Sequence, residues 1–441
     1  MNGDRDSAER RSVRRKAQAL AGTAAALTAL VAPATSGAVV RPDPAFGTKG
    51  AVTTQIRGGS SFAAAITVLP SGKIVAAGQV SSRSGTGQVL VARYRSDGRL
   101  DRGFGSGGIF RTALPKKQGP FNATAIARDR STGKLLVAGG YGQGSILLLR
   151  LTADGRLDRS FGRAGGVARA NTGGIAESVS IQRDGRILVG ASNANANGRP
   201  MVVARFKRNG ALDRRFGTGG IAESLFWDPD LTASAGVTGL ATTADGAIVA
   251  SGHLDYIGGD GHGSAGVVRL TSTGQPDPGF GSGGHVEIAF TEPSGVFAQW
   301  FPCAMAIDSL GRIPVTGDGS TTPGGSGALL TGRLTSSGAP DAAYGPAGDG
   351  KTIVQGLEDS SNTTCGAALG ADGSLTAGVG STLAQLGPTG AANPGFAPDG
   401  LFRITRPRKV GLNAVARSGE RRIVVAGSAG RGIYVGRYLL R

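Results

Sequence analysis

The sequence predicts an all-β fold, a seven-bladed β-propeller built from four-stranded antiparallel blades. Three recurrences carry that prediction. A short turn string returns as PDPAFG (42–47), LDRGFG (100–105), LDRSFG (157–162), LDRRFG (212–217), PDPGFG (276–281), PDAAYG (340–345) and NPGFAP (393–398). Its aromatic falls at Phe46, Phe104, Phe161, Phe216, Phe280, Tyr344 and Phe396, with spacings of 58, 57, 55, 64, 64 and 52 residues. A turn followed by an apolar strand also recurs seven times, from SGKIVAAG to ERRIVVAG. After it comes an apolar run closing on Arg and a large residue, as in VLVARY, LLLRL, VVARF, GVVRL, LTGRL and YVGRY. Seven successive units of about 50–60 residues, each with four short strands, are the mark of a propeller.

Taken in chain order, the first element is residues 1–38. MNGDRDSAERRSVRRK is basic, AQALAGTAAALTALVAPA is mildly apolar, and the small Ser36 and Ala38 permit cleavage before Val39. We read this segment as a cleavable export signal whose apolar part is too short and mild to span a membrane. Arg14 and Arg15 allow the twin-arginine route as well as the general one, although Ala17 and Gln18 fit the former poorly. Removing residues 1–38 leaves a formal charge of +15, against +18 for the whole chain.

Residues 39–441 then read as a single propeller with turns near 43, 101, 158, 213, 277, 341 and 393. The turn at Asp43 leads into one strand, AVTTQI (51–56). The first full unit follows with SFAAAITVL, KIVAAGQV, QVLVARY and GIFRTAL, runs rich in Val, Ile, Leu and Ala between Gly, Asp, Ser and Pro. The sixth unit departs from the pattern: Gln385 replaces the strand-end Arg, and PDAAYG is followed by an irregular PAGDGK. The seventh finishes on its third strand, GIYVGRYLL, without an outer one. Strand 51–56 is therefore the spare. Pairing it with the C-terminal blade closes the ring and removes exposed edges. No stretch after residue 40 sustains a helical period, and the 77 glycines fit many tight turns.

These motifs resemble the delta-60 repeat family of bacterial exported proteins. The family pattern L-D-x-x-F-G-x-G-G, D-G-K-I-V-V-A-G and A-R-Y-x-x-D-G is matched by LDRGFGSGG, SGKIVAAG and VARYRSDG, and the likeness covers about residues 42–441. The resemblance implies an exported, propeller-like protein and carries no catalytic residues across.

The repeated string is expected to be structural. A phosphate cradle leads into a helix N-terminus, whereas GSGG, RAGG and GTGG lead into strands. The recurring acids, Asp43, Asp101, Asp158, Asp213, Asp277 and Asp341, each have a strand-end Arg for a partner, such as Asp101 with Arg93 and Asp158 with Arg150. The aromatic would plug between blades.

Function is therefore sought where the repeats do not predict the residues. First-to-second strand turns are uniform, while second-to-third and inter-blade loops vary, so a ligand site is expected on the variable face. Trp227 and Trp300, the only tryptophans, lie in insertions around the fourth unit. Asp228 and Asp230 adjoin the first. The loop HLDYIGGDGH brings His253, Asp255, Tyr256, Asp260 and His262. These nine residues are the ligand-binding candidates. Their spacing matches no metal motif, and neither a metal nor a cofactor is expected. With three histidines and no G-x-S-x-G element, the chain is expected not to be an enzyme.

Cys303 and Cys365 each lie eight residues before the turn glycine of their own unit, Gly311 and Gly373. They hold the same place in the inner strands of adjacent blades, and in an exported chain they are expected to form a disulfide. The resulting expectation is a secreted, cell-wall-associated monomer. It would serve as a binding or scaffold module for an anionic polymer, a glycan or a protein, not for nucleic acid, with no membrane span once the signal is cleaved. The alternative is a carbohydrate-active enzyme, a hydrolase or lyase, using the variable face.

Overall fold

Seven antiparallel sheets follow one another along the chain in a computed structural model of the protein. The structure describes residues 40–440 except 83–86, 113–120, 142–143, 164, 193–199, 227–231, 257–262, 291–298, 321–326, 358–364 and 408. The proposed export signal lies outside the described residues. Blade 1 shows the plan: Gly59–Val68 innermost, then Ile74–Ser82, Gly87–Tyr94 and Ile109–Thr112 outermost. The inner strands of blades 2 to 7 are Phe121–Arg128, Ala176–Ile181, the interrupted Thr232–Ala235 and Gly239–Thr242, Gln299–Met305, Cys365–Leu369 and Val410–Arg417. No helix among the described residues is long and apolar enough to cross a membrane.

Closure follows the expected scheme. Ala51–Thr54 pairs antiparallel with Gly432–Leu439, Ala51 opposite Gly436 and Thr54 opposite Ile433. The strand is two residues shorter than the sequence suggests. Arg41–Pro42 adds to the same edge, with Arg41 opposite Leu439.

The apolar second and third strands of each blade bury both of their faces, as Ile74–Ala77 and Val89–Ala92 illustrate. Their side chains meet those of the next blade, so the core is seven clusters, one at each boundary. The boundary between blades 7 and 1 joins Val424, Ala426, Ile433 and Val435 to Ile74, Ala76 and Leu90. A side chain such as Leu90 gains about 2 kcal/mol from this burial, and the energy is spread around the ring.

The turn string builds a clasp on each boundary. Arg150 Nε donates to Asp158 Oδ2 at 2.7 Å, and Arg205, Arg269, Arg333 and Arg437 do the same to Asp213, Asp277, Asp341 and Asp43. Arg93 pairs with Asp101 at 2.7 Å. Each guanidinium lies over its own aromatic, 4.3 Å from Tyr344 for Arg333 and 4.9 Å from Phe46 for Arg437. Its far end donates to a backbone carbonyl of the next blade, as Arg150 Nη1 does to Arg208 O and Arg437 Nη1 to Ser96 O. The aromatic sits against a glycine there: a Cβ on Gly155, whose φ is +81°, would lie 2.6 Å from the Phe104 ring. The clasp and the plug are thus as read from the sequence.

Blade 6 keeps the device without charge. Asn393 Nδ2 donates to Gln385 Oε1 at 2.6 Å, and Gln385 Nε2 donates to Thr376. Both partners have changed together, so neither is left as a lone buried charge.

Candidate functional site

The seven inner strands surround a central channel, and one place in each strand decides what that channel carries. Blades 1, 2, 3, 5 and 7 have a register shift there, between Ala63 and Ala65, Ala123 and Ala125, Ala176 and Ser178, Pro302 and Ala304, and Leu412 and Ala414. Such a bulge leaves one extra residue outside the ladder, with its side chain re-aimed. The bulged residues are Ala64, Thr124, Glu177, Cys303 and Asn413. Register puts Cys365 at the equivalent place in blade 6, opposite Val379, and Thr238 stands in the gap of the blade 4 inner strand.

Most of these residues staple one blade to the next. Thr124 Oγ1 donates to Ala176 O at 2.7 Å, Thr238 Oγ1 to Pro302 O at 2.9 Å, and Asn413 Nδ2 to Ala63 O at 2.8 Å. Cys303 and Cys365 replace the hydrogen bond with a disulfide, their Cα atoms 5.6 Å apart. In blade 3 the neighbouring Ser178 takes over the staple, donating to Val237 O at 2.6 Å. Glu177 is thereby released from structural duty.

Its carboxyl reaches toward blade 4. A side chain at Gly236 would collide with both the Glu177 carboxyl and the His253 ring, so the two groups meet across that glycine. His253 Nε2 stands 4.0 Å from Asp255 Oδ2. Burial pushes the Glu177 carboxyl above its ordinary value and the charge of Asp255 adds to the effect, against the pull of His253 and a hydrogen bond from Ser192. Glu177 Oε2 has no hydrogen-bond partner among the described residues.

Glu177, His253 and Asp255 open on a channel cavity of about 800 Å³. Phe62 and Phe301, partly exposed, line the same cavity from blades 1 and 5. They hold one repeat position, each just before the residue at which the bulge begins. The rest of the wall mixes apolar residues, Ala65, Ile126 and Met305 among them, with the polar Thr124, Thr238 and Asn413. A carboxyl biased toward its neutral form, an imidazole and a second carboxylate can donate and accept hydrogen bonds, and can pass a proton to a bound group. Among the described residues no three such donors are arranged to hold a metal ion.

Of the nine candidates named from the sequence, the structure brings His253 and Asp255 together on the channel. Trp300 is a correction: it is fully buried, packed edge-on against Phe290 at 4.9 Å, and an indole enclosed by core offers no face to a ligand. Trp227, Asp228, Asp230, Asp260 and His262 lie outside the described residues, and of Tyr256 only the strand backbone is described. Glu177 escaped the sequence reading. The available signal was an acid at a position where other units carry Ala, Thr, Cys or Asn.

A family model described as a domain of unknown function (DUF5122), β-propeller, matches residues 69–104, 130–161, 182–216 and 243–280. The match falls on the repeats and supports a β-propeller repeat family; the delta-60 name is not carried by it. No curated protein matches the chain. Among solved structures it is similar to a polysaccharide lyase of family PL25, an ulvan lyase bound to -[GlcA(1-4)Rha3S]- (9% identity, 88% of this chain and 96% of that one, TM-score 0.48). It is also similar to the PQQ-bound aldose sugar dehydrogenase of Streptomyces coelicolor (12% identity, 89% and 98%, TM-score 0.41). A third is PorZ, a surface component of the type-IX secretion system of Porphyromonas gingivalis (12% identity, TM-score 0.44), where the match covers 83% of this chain and 45% of the length of PorZ. At these identities the likeness shows the fold alone. The expectation that the chain is not an enzyme is nevertheless corrected, because Glu177, His253 and Asp255 converge on one cavity. Few histidines do not exclude a reaction, since two or three converging groups suffice.

Proposed function

We propose that the protein is an exported glycan-binding propeller whose ligand enters the channel at the variable-loop face. The observation that carries this reading is the convergence of Glu177, His253 and Asp255 with Phe62 and Phe301 on one cavity of about 800 Å³. Sugars are recognised by aromatic faces for their C–H surfaces and by carboxylates and imidazoles for their hydroxyls, and a cavity of this size suits one or two sugar rings. The formal charge of +15 that remains once residues 1–38 are removed draws anionic glycans of a cell surface toward the molecule. On sequence grounds, the segments with Trp227, Asp228, Asp230, Tyr256, Asp260 and His262 flank or belong to blade 4 and are proposed to extend the site.

A second reading has its own support. The neutral-leaning carboxyl of Glu177 beside His253 suits general acid–base cleavage of a glycan. A glycan array run with Glu177→Gln, His253→Ala and Phe301→Ala, paired with an assay for new reducing ends, separates the two. Binding lost by about tenfold in each variant, without cleavage, supports the module. Cleavage abolished by Glu177→Gln or Asp255→Asn makes it an enzyme. Glycan binding that all three variants leave intact sinks the channel site.

A further inference from the structure

Glu177 stands near the start of its inner strand; at the opposite ends of the inner strands, those of blades 7, 1 and 2 run out into their turns around a second cavity, of about 900 Å³. Arg128, Arg130 and Arg417 line it together with the turn at Leu69–Gly72, and among the described residues no acidic side chain does. Register makes Arg128 and Arg417 equivalent, since they face Leu135 and Ile423 at the start of the second strand. At the same place blades 1, 3, 4 and 6 carry Val68, Ile181, Thr242 and Leu369. Arginine there is therefore no framework requirement. It occurs in the two blades that flank blade 1.

These arginines also differ from those of the clasps, each of which is matched to an Asp. Among the described residues Arg128 and Arg130 have no side-chain hydrogen bond or ion pair. Arg417 is held in place by Ser374 Oγ at 2.8 Å and by the Glu420 carbonyl at 3.2 Å, and its Nε is buried without a partner. The nearby acids are engaged in their own turns. Asp129 accepts from Ser131 and Thr132, and Asp372 from Ser374, although the charge of Asp372 is felt at Arg417.

We propose that this end of the channel binds an oxyanion, phosphate or carboxylate, borne on a polyanionic chain. Guanidinium groups match both oxyanions through paired N–H donors. The position is distinct from the sugar site, and the inference does not depend on it.

The test is calorimetric titration of the full chain with two probes, inorganic tripolyphosphate and tetragalacturonate, at low and raised salt. At least one should bind, more weakly as salt rises, and the probe that binds identifies the anion. Arg128→Gln with Arg130→Gln should weaken binding by about tenfold. Arg102→Gln with Arg159→Gln, which removes the same charge from exposed turn positions, should leave it within about twofold. Should the first pair unfold, the exposed Arg130→Gln alone, scored for loss against Arg102→Gln, serves the same purpose. Binding of neither probe, or equal loss in both pairs, overturns the proposal.

Discussion

Cys303 and Cys365 hold the same register position in consecutive inner strands, and their disulfide stands where Thr124, Thr238 and Asn413 make a hydrogen bond to the next blade. The staple at the boundary of blades 5 and 6 is thus covalent. It closes a loop of 62 residues, for which the chain-entropy argument gives about 4 kcal/mol. Cys303→Ser with Cys365→Ser should lower the unfolding free energy by that order and the melting temperature by about 5 °C. Unreduced protein should show no free thiols by mass spectrometry. Two alkylatable thiols in the native protein would remove the basis of this prediction.

The hydrogen-bonded staples should be cheaper to lose. Thr238→Val keeps the shape of the side chain and removes the donor to Pro302 O. The expected cost is about 1 kcal/mol, with the carbonyl left short of a partner. Denaturant unfolding at a fixed slope reads it. A loss as large as that of the disulfide would mean that the staples are not equivalent.

Blade 6 supplies a natural control for the clasps. Asp158→Ala leaves Arg150, 8% exposed, without its carboxylate and should cost about 3 kcal/mol. Arg150→Gln with Asp158→Asn copies the Gln385–Asn393 pair and should cost about 1 kcal/mol. A double substitution as damaging as the single one would show that charge, not mutual satisfaction, is what the clasp requires.

The ring was readable because it is repeated. Seven copies of one turn string gave strand number, blade number, the Asp–Arg pairing and the closing strand, since each copy checks the others. Glu177 was hidden by the same regularity. A bulge is a tertiary feature with no motif of its own, and only register shows that residues such as Ala64, Thr124 and Glu177 share it. Trp300 misled because rarity in a sequence says nothing of burial. The residue lies at an inner-strand start, enclosed by Phe290 and Gly317.

Acid should act on the molecule in two opposed ways. Burial alone would raise Asp158, but hydrogen bonds from Lys134 and Ser160 and the charge of Arg150 hold it well below the ordinary range; Asp101 is lowered likewise by Lys73 and Arg93. A depressed folded value means stability that is full above about pH 4 and lost below it. Asp318 runs the other way. Burial pushes it up to about 7, with only the Gly319 amide pulling it back, and Oδ1 has no partner among the described residues. A raised carboxyl contributes stability that is full below about pH 4 and lost as pH climbs toward 7. Asp318→Asn should therefore gain on the wild type between pH 4 and 8, by up to about 4 kcal/mol. Parallel stability curves for the two proteins across that range would refute it.

Ring closure makes the sharpest prediction, because one short strand answers for an entire edge. Ala51–Thr54 occupies the hydrogen-bonding groups of Ile433–Gly436, and Asp43 pairs with Arg437 at 2.8 Å and with Arg422 at 3.4 Å. Phe46, fully buried, sits under Arg437. A chain beginning at residue 57 loses all three contacts at once. Phe46 alone should cost about 3–5 kcal/mol, and the bared strand offers a template for pairing with another copy. The shortened protein should melt earlier and associate as its concentration rises, as read by light scattering. A synthetic peptide spanning residues 40–58 should reverse both effects by returning the strand, Phe46 and Asp43 together, whereas the same peptide with Asp43→Ala and Phe46→Ala should not. A shortened chain that stays dispersed and as stable as the full one would show that the ring closes by packing across the boundary of blades 7 and 1 without its borrowed strand.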